Sequence, residues 1–291
     1  MWDRYISVDW GTTNRRAWLV GGGAVLATDA DGPGVLQVSA GGFEAEVAAM
    51  RARLADVPML LAGMAGSNRG WREASYVDVP AGLADLAQAL LWVDQRTAIV
   101  PGMRVERADG PDVMRGEEVQ ILGAVAAGLI AADGFVGHPG THAKWTRVEA
   151  GRITTFRTMM TGEVFALLQQ HSILAPQMDA PVDAEGFARG LAAAAGGADL
   201  LSSLFSVRAR AALGRAQPEA GYVSGLLIGC DVRAALVDAA DAGDGRPVLI
   251  GRLDLCELYG RALAAAGRAG PQIDGEEAFL AGISALAELM A

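Results

Sequence analysis

The most informative segment of this chain is Tyr5-Ile6-Ser7-Val8-Asp9-Trp10-Gly11-Thr12-Thr13-Asn14, an apolar strand that runs into an aspartate and a hydroxyl-rich turn. A second strand, over residues 16–20, follows directly. The pattern predicts phosphate binding, because backbone N–H groups and threonine hydroxyls can line a concavity that holds phosphoryl oxygens. Asp9 offers a hard oxygen ligand for Mg²⁺, directly or through water. The alternative is an ordinary hairpin whose turn contains Asp and Gly for conformational reasons.

Length and composition place the chain among globular proteins with a large core. It has 291 residues, of which 52% are apolar and 20% charged, enough for one large domain or two. The net charge of −10 argues against nucleic acid and anionic membranes as partners, because both are negatively charged. Cys230 and Cys256 are the only cysteines, a usage typical of buried thiols in a reducing compartment. Since the N-terminus lacks a signal-peptide pattern, we expect a cytoplasmic protein.

Lysine occurs once in the chain. Lys144 is the only lysine among 24 basic residues, and it lies in Gly137-His138-Pro139-Gly140-Thr141-His142-Ala143-Lys144-Trp145. Lysine provides a compact point charge with three donors, whereas arginine provides a planar fork. Chance placement is a live alternative, but the position in a Gly-Thr loop slightly favours a functional role.

Hydrophobic periodicity predicts strands and helices along most of the chain. Strands are predicted at about 3–9, 15–20, 23–28, 57–62, 97–100, 135–136, 145–148, 153–157 and 247–250. Helices are predicted at about 43–54, 83–91, 114–132, 162–171, 184–194, 200–213, 222–239 and 276–289. Such interleaving of parallel strands with helices indicates an α/β fold.

The order of strand, glycine-threonine turn and strand occurs twice, at 5–20 and at 135–157. This repetition indicates an internal duplication. We therefore expect two similar α/β halves, 1–130 and 131–291, that face each other across a cleft. In this division, the last helix packs either on its own half or on the first half.

Three segments are candidates for one catalytic site. The first is the turn after Asp9, and the second is Gly116-Glu117-Glu118-Val119-Gln120-Ile121-Leu122-Gly123-Ala124, which places carboxylates at a helix start. A carboxylate there can accept a proton from a substrate hydroxyl as its oxygen attacks phosphorus. Helix-start carboxylates are also common without any catalytic role. The third segment is Pro139-Gly140-Thr141, a second small-residue turn suited to phosphate.

In this order, the three segments resemble the sugar kinases of the actin–hexokinase–Hsp70 ATPase superfamily. Further blocks are similar to the 2-dehydro-3-deoxygalactonokinase family, and the resemblance spans almost the whole chain. These blocks are Ala62-Gly63-Met64-Ala65-Gly66-Ser67-Asn68-Arg69-Gly70-Trp71, Val113-Met114-Arg115-Gly116-Glu117-Glu118, Pro139-Gly140-Thr141-His142-Ala143-Lys144-Trp145, Phe156-Arg157-Thr158-Met159-Met160-Thr161-Gly162-Glu163 and Ser224-Gly225-Leu226-Leu227-Ile228-Gly229. One segment departs from the pattern: where the family has a Gly-Thr or Gly-Ser turn for the nucleoside, this chain has Ile250-Gly251-Arg252-Leu253-Asp254-Leu255.

The resemblance implies two ribonuclease H-like, actin-like ATPase halves and an ATP- and Mg²⁺-dependent kinase. It further implies phosphorylation of the terminal 6-hydroxyl of 2-dehydro-3-deoxy-D-galactonate in galactonate degradation. Asp9 would hold the metal, and Glu117 would take the hydroxyl proton, with Glu118 or Asp9 as alternatives. The expected nucleotide-binding residues are Gly11, Thr12, Thr13, Asn14, Gly140, Thr141, Lys144, Gly251 and Arg252. The expected substrate-binding residues are Ser67, Asn68, Arg72, Arg115, Arg157, Thr158 and Glu163.

Several alternatives stay open at this point. Which cation binds the substrate carboxylate is undecided, with Lys144 expected at phosphate and Arg157 at substrate. The acceptor could be another sugar or keto-acid, such as the gluconate-derived epimer. A nucleotide-binding sensor or an actin-like assembly protein is the alternative from another class. The expected partner is a small-molecule keto-acid, and a homodimer is possible.

Overall fold

The computed structural model describes residues 2–215, 217–240 and 246–290. The chain divides into two compact units. The first unit comprises Met1–Asp133, Thr146–Phe156 and Gly275–Ala291, and the second comprises Gly134–Trp145 and Arg157–Asp274. The division into halves 1–130 and 131–291 was drawn from motif repetition and stays a prediction.

The described residues form fourteen strands and nine α-helices. The strands are β1 (Arg4–Trp10), β2 (Asn14–Gly21), β3 (Ala24–Pro33), β4 (Met59–Gly63), β5 (Tyr76–Asp78), β6 (Leu91–Asp94), β7 (Thr97–Ile99), β8 (Gly102–Arg107), β9 (Gly110–Met114), β10 (Gly134–His138), β11 (Ala143–Glu149), β12 (Arg152–Met159), β13 (Val248–Gly251) and β14 (Gln272–Asp274). The helices are α1 (Phe43–Arg53), α2 (Leu83–Gln88), α3 (Glu117–Ala126), α4 (Thr161–His171), α5 (Ala184–Ala195), α6 (Leu200–Ala212), α7 (Ala220–Ala240), α8 (Leu253–Ala265) and α9 (Gly275–Leu289).

The six-stranded sheet of the first unit has the order β3-β2-β1-β4-β7-β6. Its central strand β1 pairs antiparallel with β2 and parallel with β4, which in turn is parallel to β7. Ile6, Val8 and Trp10 alternate along β1 into a core that includes Phe43 of α1. Asp9 therefore lies at the carboxyl end of a central strand, the end of such sheets where ligands bind.

A five-stranded sheet has the order β12-β11-β10-β13-β14. β13 is parallel to both β10 and β14. In both sheets, the first four strands along the chain are ordered third, second, first, fourth. This common order is what an internal duplication predicts, and it gives residues 139–142 the same position after β10 that residues 11–13 have after β1.

The helix predicted at 114–132 is wrong at both ends. α3 begins at Glu117, after Gly116, and ends at Ala126. Gly128 adopts a φ of +68° and donates its N–H to the carbonyl of Val125, so the left-handed glycine ends the helix. The helix predicted at 83–91 is also too long, because residues 91–94 form β6 against β7 instead.

The sequence analysis missed α8 and the three-stranded sheet β5-β8-β9. The segment from Ile250 to Leu255 was compared only with the family's nucleoside turn, from which it departs, yet a helix begins at Leu253. Cys256, Tyr259 and Leu263 are buried at helical spacing along α8. This periodicity was present in the sequence and would have predicted the helix.

Helix packing in both units depends on close approach at glycines. A Cβ atom at Gly123 of α3 would overlap the Ala278 carbonyl of α9, within the first unit. In the second unit, a Cβ atom at Gly190 of α5 would overlap the Tyr222 carbonyl of α7. α7 is long and apolar enough to span a membrane by length and composition, but most of its span is buried inside the protein. A buried helix of this kind is typical of a protein core.

Candidate active site

The turn between β1 and β2 is fixed by backbone hydrogen bonds. Gly11 donates its N–H to the Asn14 carbonyl at 2.9 Å. The carbonyls of Gly11, Thr12 and Thr13 accept hydrogen bonds of 3.0, 3.2 and 3.2 Å from backbone N–H groups of residues 34–36. The side chains of Thr12, Thr13 and Asn14 are exposed. The turn therefore presents hydroxyl and amide groups to a ligand from a backbone that is already ordered.

Asp9, immediately before this turn, lies among charged groups. Its carboxylate accepts a hydrogen bond from Arg16 at 3.0 Å, and the same guanidinium donates to Glu276 of α9 at 3.1 Å. Burial raises the pKa of Asp9, Arg16 opposes that increase, and the charges of Glu117 and Glu276 add to it. Three carboxylates and one arginine thus form a cluster in the first unit, which we call the Asp9 cluster (Asp9, Arg16, Glu117 and Glu276).

Two glycines allow the backbone to approach Asp9 closely. Gly63, at the end of β4, has a φ of +84°, and a Cβ atom there would lie 2.8 Å from the Trp10 carbonyl oxygen. Gly116, before α3, has a φ of +108°, and its Cβ would lie 3.2 Å from the Gly63 Cα. Larger residues would be strained at both positions. The glycines thereby bring the start of α3, with its carboxylates, next to the end of β1.

Glu117 and Glu118 differ in their surroundings. Glu118 is fully buried, and both of its carboxylate oxygens accept the Gly116 N–H, at 2.8 and 2.7 Å. Burial and the charge of Glu117 raise the pKa of Glu118 to about 7. Glu117 is only half-buried and accepts the Arg115 N–H at 3.0 Å. Glu117 is therefore the more accessible of the two carboxylates, whereas Glu118 holds the helix start.

The loop after β4 carries the first group of expected substrate residues. Ser67 is buried, donates to the Met64 carbonyl at 2.8 Å and accepts the Arg69 N–H at 3.2 Å, so its hydroxyl stabilises the loop itself. Asn68 is exposed, and Arg72 is exposed with its guanidinium 3.7 Å from Glu44.

Arg115 contacts the end of this loop, at Ala74. Its Nη2 donates to the Ala74 carbonyl at 2.8 Å, and its guanidinium lies 4.4 Å from the centre of the Tyr76 ring. Nε and Nη1 of Arg115 are buried without a hydrogen-bond partner. Unsatisfied guanidinium donors favour an anionic ligand, although a local movement would be needed to reach them.

In the second unit, the start of α4 packs on the turn Gly140-Thr141. A Cβ atom at Gly162 would lie 2.5 Å from the Gly140 carbonyl oxygen, and the Glu163 N–H donates to the Thr141 carbonyl at 2.9 Å. Glu163 also lies 2.6 Å from His142 Nε2. Lys144 is buried, with its Nζ 3.4 Å from the His142 carbonyl. The turn therefore has a helix N-terminus and a buried cation beside it.

The remaining expected residues of the second unit lie in different surroundings. Arg157 on β12 forms an ion pair with Asp238 at 3.2 Å, and Thr158 follows it. Gly251 has a φ of +145°, and a Cβ atom there would lie 3.5 Å from the Pro139 carbonyl oxygen. Arg252 is exposed and pairs with Asp254. Gly251 thus lies beside Pro139, the residue before the Gly140-Thr141 turn.

A cavity of about 180 Å³ lies in the second unit beside the same turn. Its walls are mostly apolar, with hydroxyl groups from Thr161, Ser224 and Tyr259. The lining residues are Gly140, Thr161, Gly162, Phe165, Val182, Ser224, Leu227, Ile228, Leu255, Leu258 and Tyr259. Sequence reasoning missed this cavity because it missed α8, which supplies three of the lining residues.

A family model of 2-keto-3-deoxy-galactonokinases matches residues 9–286 of the chain. The chain belongs to this family. A relative from Rhizobium meliloti (strain 1021), named "Probable 2-dehydro-3-deoxygalactonokinase", is 40% identical over 97% of this chain and 96% of its own. The 2-dehydro-3-deoxygalactonokinase of Escherichia coli (strain K12) is 37% identical over 99% of both chains. The predicted family membership is confirmed.

Solved structures agree with this membership. A Sinorhizobium meliloti crystal structure, provisionally described as a 2-dehydro-3-deoxygalactonokinase, has a TM-score of 0.87 and 35% identity over 98% of each chain. The activator of the 2-hydroxyisocaproyl-CoA dehydratase from Clostridium difficile, solved with bound ADPNP, has a TM-score of 0.53 and 12% identity. It covers 98% of this chain and 95% of its own, and the likeness concerns the fold alone. The predicted actin-like ATPase fold class is confirmed.

Asp9 of this family member is the candidate ligand for a divalent cation. Among the described residues, no group of three or more His, Cys, Asp or Glu side chains has the arrangement of a complete metal site. Mg²⁺ in phosphoryl-transfer enzymes is usually held by one or two carboxylates together with substrate phosphates and water. Asp9, whose charge is opposed by burial and by two neighbouring carboxylates, would be stabilised by a nearby cation.

Sequence reasoning missed two members of the cluster. Arg16 was assigned only to the second strand, and Glu276 only to the last helix. β2 and α9 lie far apart in sequence, so only the fold reveals that Arg16 joins Asp9 to Glu276.

Proposed function

We propose that this protein is a cytoplasmic kinase that transfers the γ-phosphoryl group of ATP to the 6-hydroxyl of 2-dehydro-3-deoxy-D-galactonate. The products are 2-dehydro-3-deoxy-6-phospho-D-galactonate and ADP, in galactonate breakdown. The observation that carries the proposal is the position of Asp9 and Glu117 in one cluster beside an exposed Thr-Thr-Asn turn. Membership of the 2-keto-3-deoxy-galactonokinase family supports this acceptor.

Glu117 is the general base of the proposed reaction. It is half-buried, and its charge acts on Asp9, so it lies close to where the phosphoryl group would be held. As the 6-oxygen forms its bond to the γ-phosphorus, the hydroxyl proton passes to Glu117, and the bond from phosphorus to the ADP oxygen breaks. Glu118 cannot readily take this role, because both of its oxygens hold the Gly116 N–H.

Asp9 holds Mg²⁺ in the proposed site. When bound, the metal neutralises charge on the phosphate oxygens and on the leaving ADP. The hydrogen bond from Arg16 to Glu276 would keep the guanidinium beside the cluster. Asp9 would hold the metal, and the positive charge would compensate a carboxylate whose ionised form is disfavoured by burial.

Each unit carries a turn suited to phosphate. Thr12, Thr13 and Asn14 provide exposed hydroxyl and amide donors in the first unit. In the second unit, Gly140 and Thr141 lie at the N-terminus of α4, where the helix dipole favours an anion. Lys144 adds a positive charge next to that turn.

The cavity of the second unit takes the adenine ring. Its mostly apolar walls suit an aromatic base, and it shares Gly140 with the phosphate-binding turn, which fits the connection of base, ribose and phosphates. Gly251 and Arg252 lie just before α8, which lines the cavity, and are the further candidates for contacts with the nucleotide.

Each unit has its own candidates for binding the acceptor. Asn68 and Arg72 are exposed, and Arg115 has two unsatisfied donors, so these residues are the ones in the first unit that suit hydroxyl and carboxylate groups. Arg157, Thr158 and Glu163 are the candidates in the second unit. Ser67 stabilises the conformation of the loop through the hydrogen bonds of its hydroxyl.

ADP release with a panel of acceptors tests the proposal. We expect turnover with 2-dehydro-3-deoxy-D-galactonate to exceed turnover with its gluconate-derived epimer and with glucose, and to stop when Mg²⁺ is chelated. Preference for the neutral hexose would contradict the acceptor assignment. ATP binding without acceptor-dependent turnover would contradict the enzyme and favour a nucleotide sensor.

A further inference from the structure

Asp231 is a buried carboxylate that accepts hydrogen bonds from three other elements. It lies on α7 and is 5% exposed. Its Oδ1 accepts the indole N–H of Trp145 at 2.6 Å, and its Oδ2 accepts the Thr161 hydroxyl at 2.5 Å and the Tyr259 hydroxyl at 2.7 Å. The donors come from β11, α4 and α8. One side chain therefore joins four elements of the second unit.

The partners of Asp231 are all neutral. Burial raises the pKa of Asp231, and the hydrogen bonds from Thr161, Tyr259 and Trp145 oppose this increase. Burial and the charge of Asp231 also raise the pKa of Tyr259. A buried carboxylate is costly compared with apolar packing, so such a network contributes geometry more than stability.

Each donor lies beside a group that the proposed function assigns to the nucleotide. Thr161 starts α4, and its neighbour Gly162 packs on the Gly140-Thr141 turn. Thr161 and Tyr259 both line the cavity assigned to adenine. Trp145 directly follows Lys144 on β11. The three hydrogen bonds thus fix the phosphate turn, the cavity wall and the strand that carries the lysine.

We propose that Asp231 is the positioning residue of the nucleotide site, which holds the phosphate turn and the adenine cavity in register through Thr161, Tyr259 and Trp145. The proposal rests on the proposed function. Asp231 does not itself touch the nucleotide. It orders the groups that do, so that binding ATP costs less conformational entropy.

Asp231→Asn is the direct test. An amide has one acceptor oxygen and one donor group, so at least one of the three donors would face another donor. We expect the KM for ATP and the dissociation constant of ADP, measured by calorimetry, to rise by about tenfold. The KM for the keto-acid should change by less than about twofold, and kcat at saturating ATP should fall far less than the affinity.

A control for lost stability is Asp199→Ala. Asp199 caps α6 through the Ser202 N–H and is exposed. This variant should lower the melting temperature, because a helix cap is lost, without changing ADP affinity. It separates a general loss of stability from a loss of positioning.

Further variants keep the proposal falsifiable if Asp231→Asn does not fold. Tyr259→Phe removes one donor and keeps the ring, and Thr161→Val removes another, so both should weaken ADP binding by severalfold. Thr161→Ser, which retains the hydroxyl, should bind ADP more tightly than Thr161→Val. Wild-type ADP affinity in folded Tyr259→Phe and Thr161→Val, with only their melting temperatures lowered, would overturn the proposal.

The experiment distinguishes this proposal from the proposed function. ADP affinity is measured without an acceptor, so a wild-type protein that binds ADP but phosphorylates no keto-acid would contradict the function and leave the Asp231 comparison intact. A wild-type protein that binds no ADP would overturn both.

Discussion

Adjacent carboxylates at the start of α3 have different surroundings. Glu118 is fully buried and accepts the Gly116 N–H. Glu117 is half-buried, and its negative charge raises the pKa of Asp9. Catalysis needs a base that a hydroxyl can reach, and a helix start needs an acceptor that stays in place. We therefore assign the proton transfer to Glu117 and the backbone contact to Glu118.

Glu117→Gln tests the first assignment. We expect kcat to fall by about a hundredfold or more, because the amide cannot accept the proton. The KM for ATP should change little. The exposed Glu106→Gln, on β8, is the matched control and should retain full turnover in the same steady-state assay. Near-normal turnover of Glu117→Gln would move the base to Glu118 or Asp9.

Glu118 predicts a pH dependence of stability. Its pKa of about 7 in the folded protein exceeds the ordinary value of 4.5, so the folded state holds a proton that the unfolded state loses. This contribution is fully present below the unfolded pKa and is lost as pH rises through about 7, with a magnitude on the order of 3 kcal/mol.

Urea unfolding of the wild type and of Glu118→Gln at pH 5 and pH 8 measures this contribution. The wild type should lose more stability between the two pH values than the variant, which cannot titrate at this position. Equal losses in the two proteins would show that Glu118 keeps an ordinary pKa.

At the scale of elements, the contact between α3 and α9 holds the catalytic helix in the first unit. Gly123 faces the Ala278 carbonyl and Gly282 so closely that no side chain fits between the helices. Since Glu117 begins α3 and Glu276 lies in the first turn of α9, this contact also holds two members of the Asp9 cluster in place.

Gly123→Ala tests the contact. The added methyl would overlap backbone atoms, so we expect a loss of about 1–3 kcal/mol or more in unfolding free energy. Gly134→Ala is the control, because a Cβ atom there meets nothing within 4 Å. Denaturant unfolding measures the unfolding free energy of both variants. Equal values for the two would contradict the packing described for α3 and α9.

The sequence predicted elements best where their pattern was local. The three strands of 3–28 and the helix at 43–54 were found from periodicity and turn glycines alone. The end of α3 was missed because it depends on the left-handed Gly128. α8 was missed because its first residues were compared only with the nucleoside turn of the family, and the helical spacing of its apolar residues was not used. The site residues divide in the same way: Asp9 and Glu117 stand in recognisable segments, whereas Glu276 and Asp231 gain their roles only from contacts across the chain.

At the scale of the whole molecule, the net charge of the protein has the same sign as its ligands. The chain carries a net charge of −10, yet both ATP and the keto-acid are anions. Capture must therefore depend on local cations such as Arg72, Arg115 and Lys144, against the overall field. The homodimer stays a prediction.

The identity of the phosphorylated product tests the central claim most directly. Wild-type protein is incubated with ATP, Mg²⁺ and 2-dehydro-3-deoxy-D-galactonate, and the products are followed by phosphorus NMR. We predict that one phosphate ester on the 6-carbon of the keto-acid appears for each ADP formed. Release of free phosphate at the same rate with and without the keto-acid, or an ester at another carbon, would contradict the account.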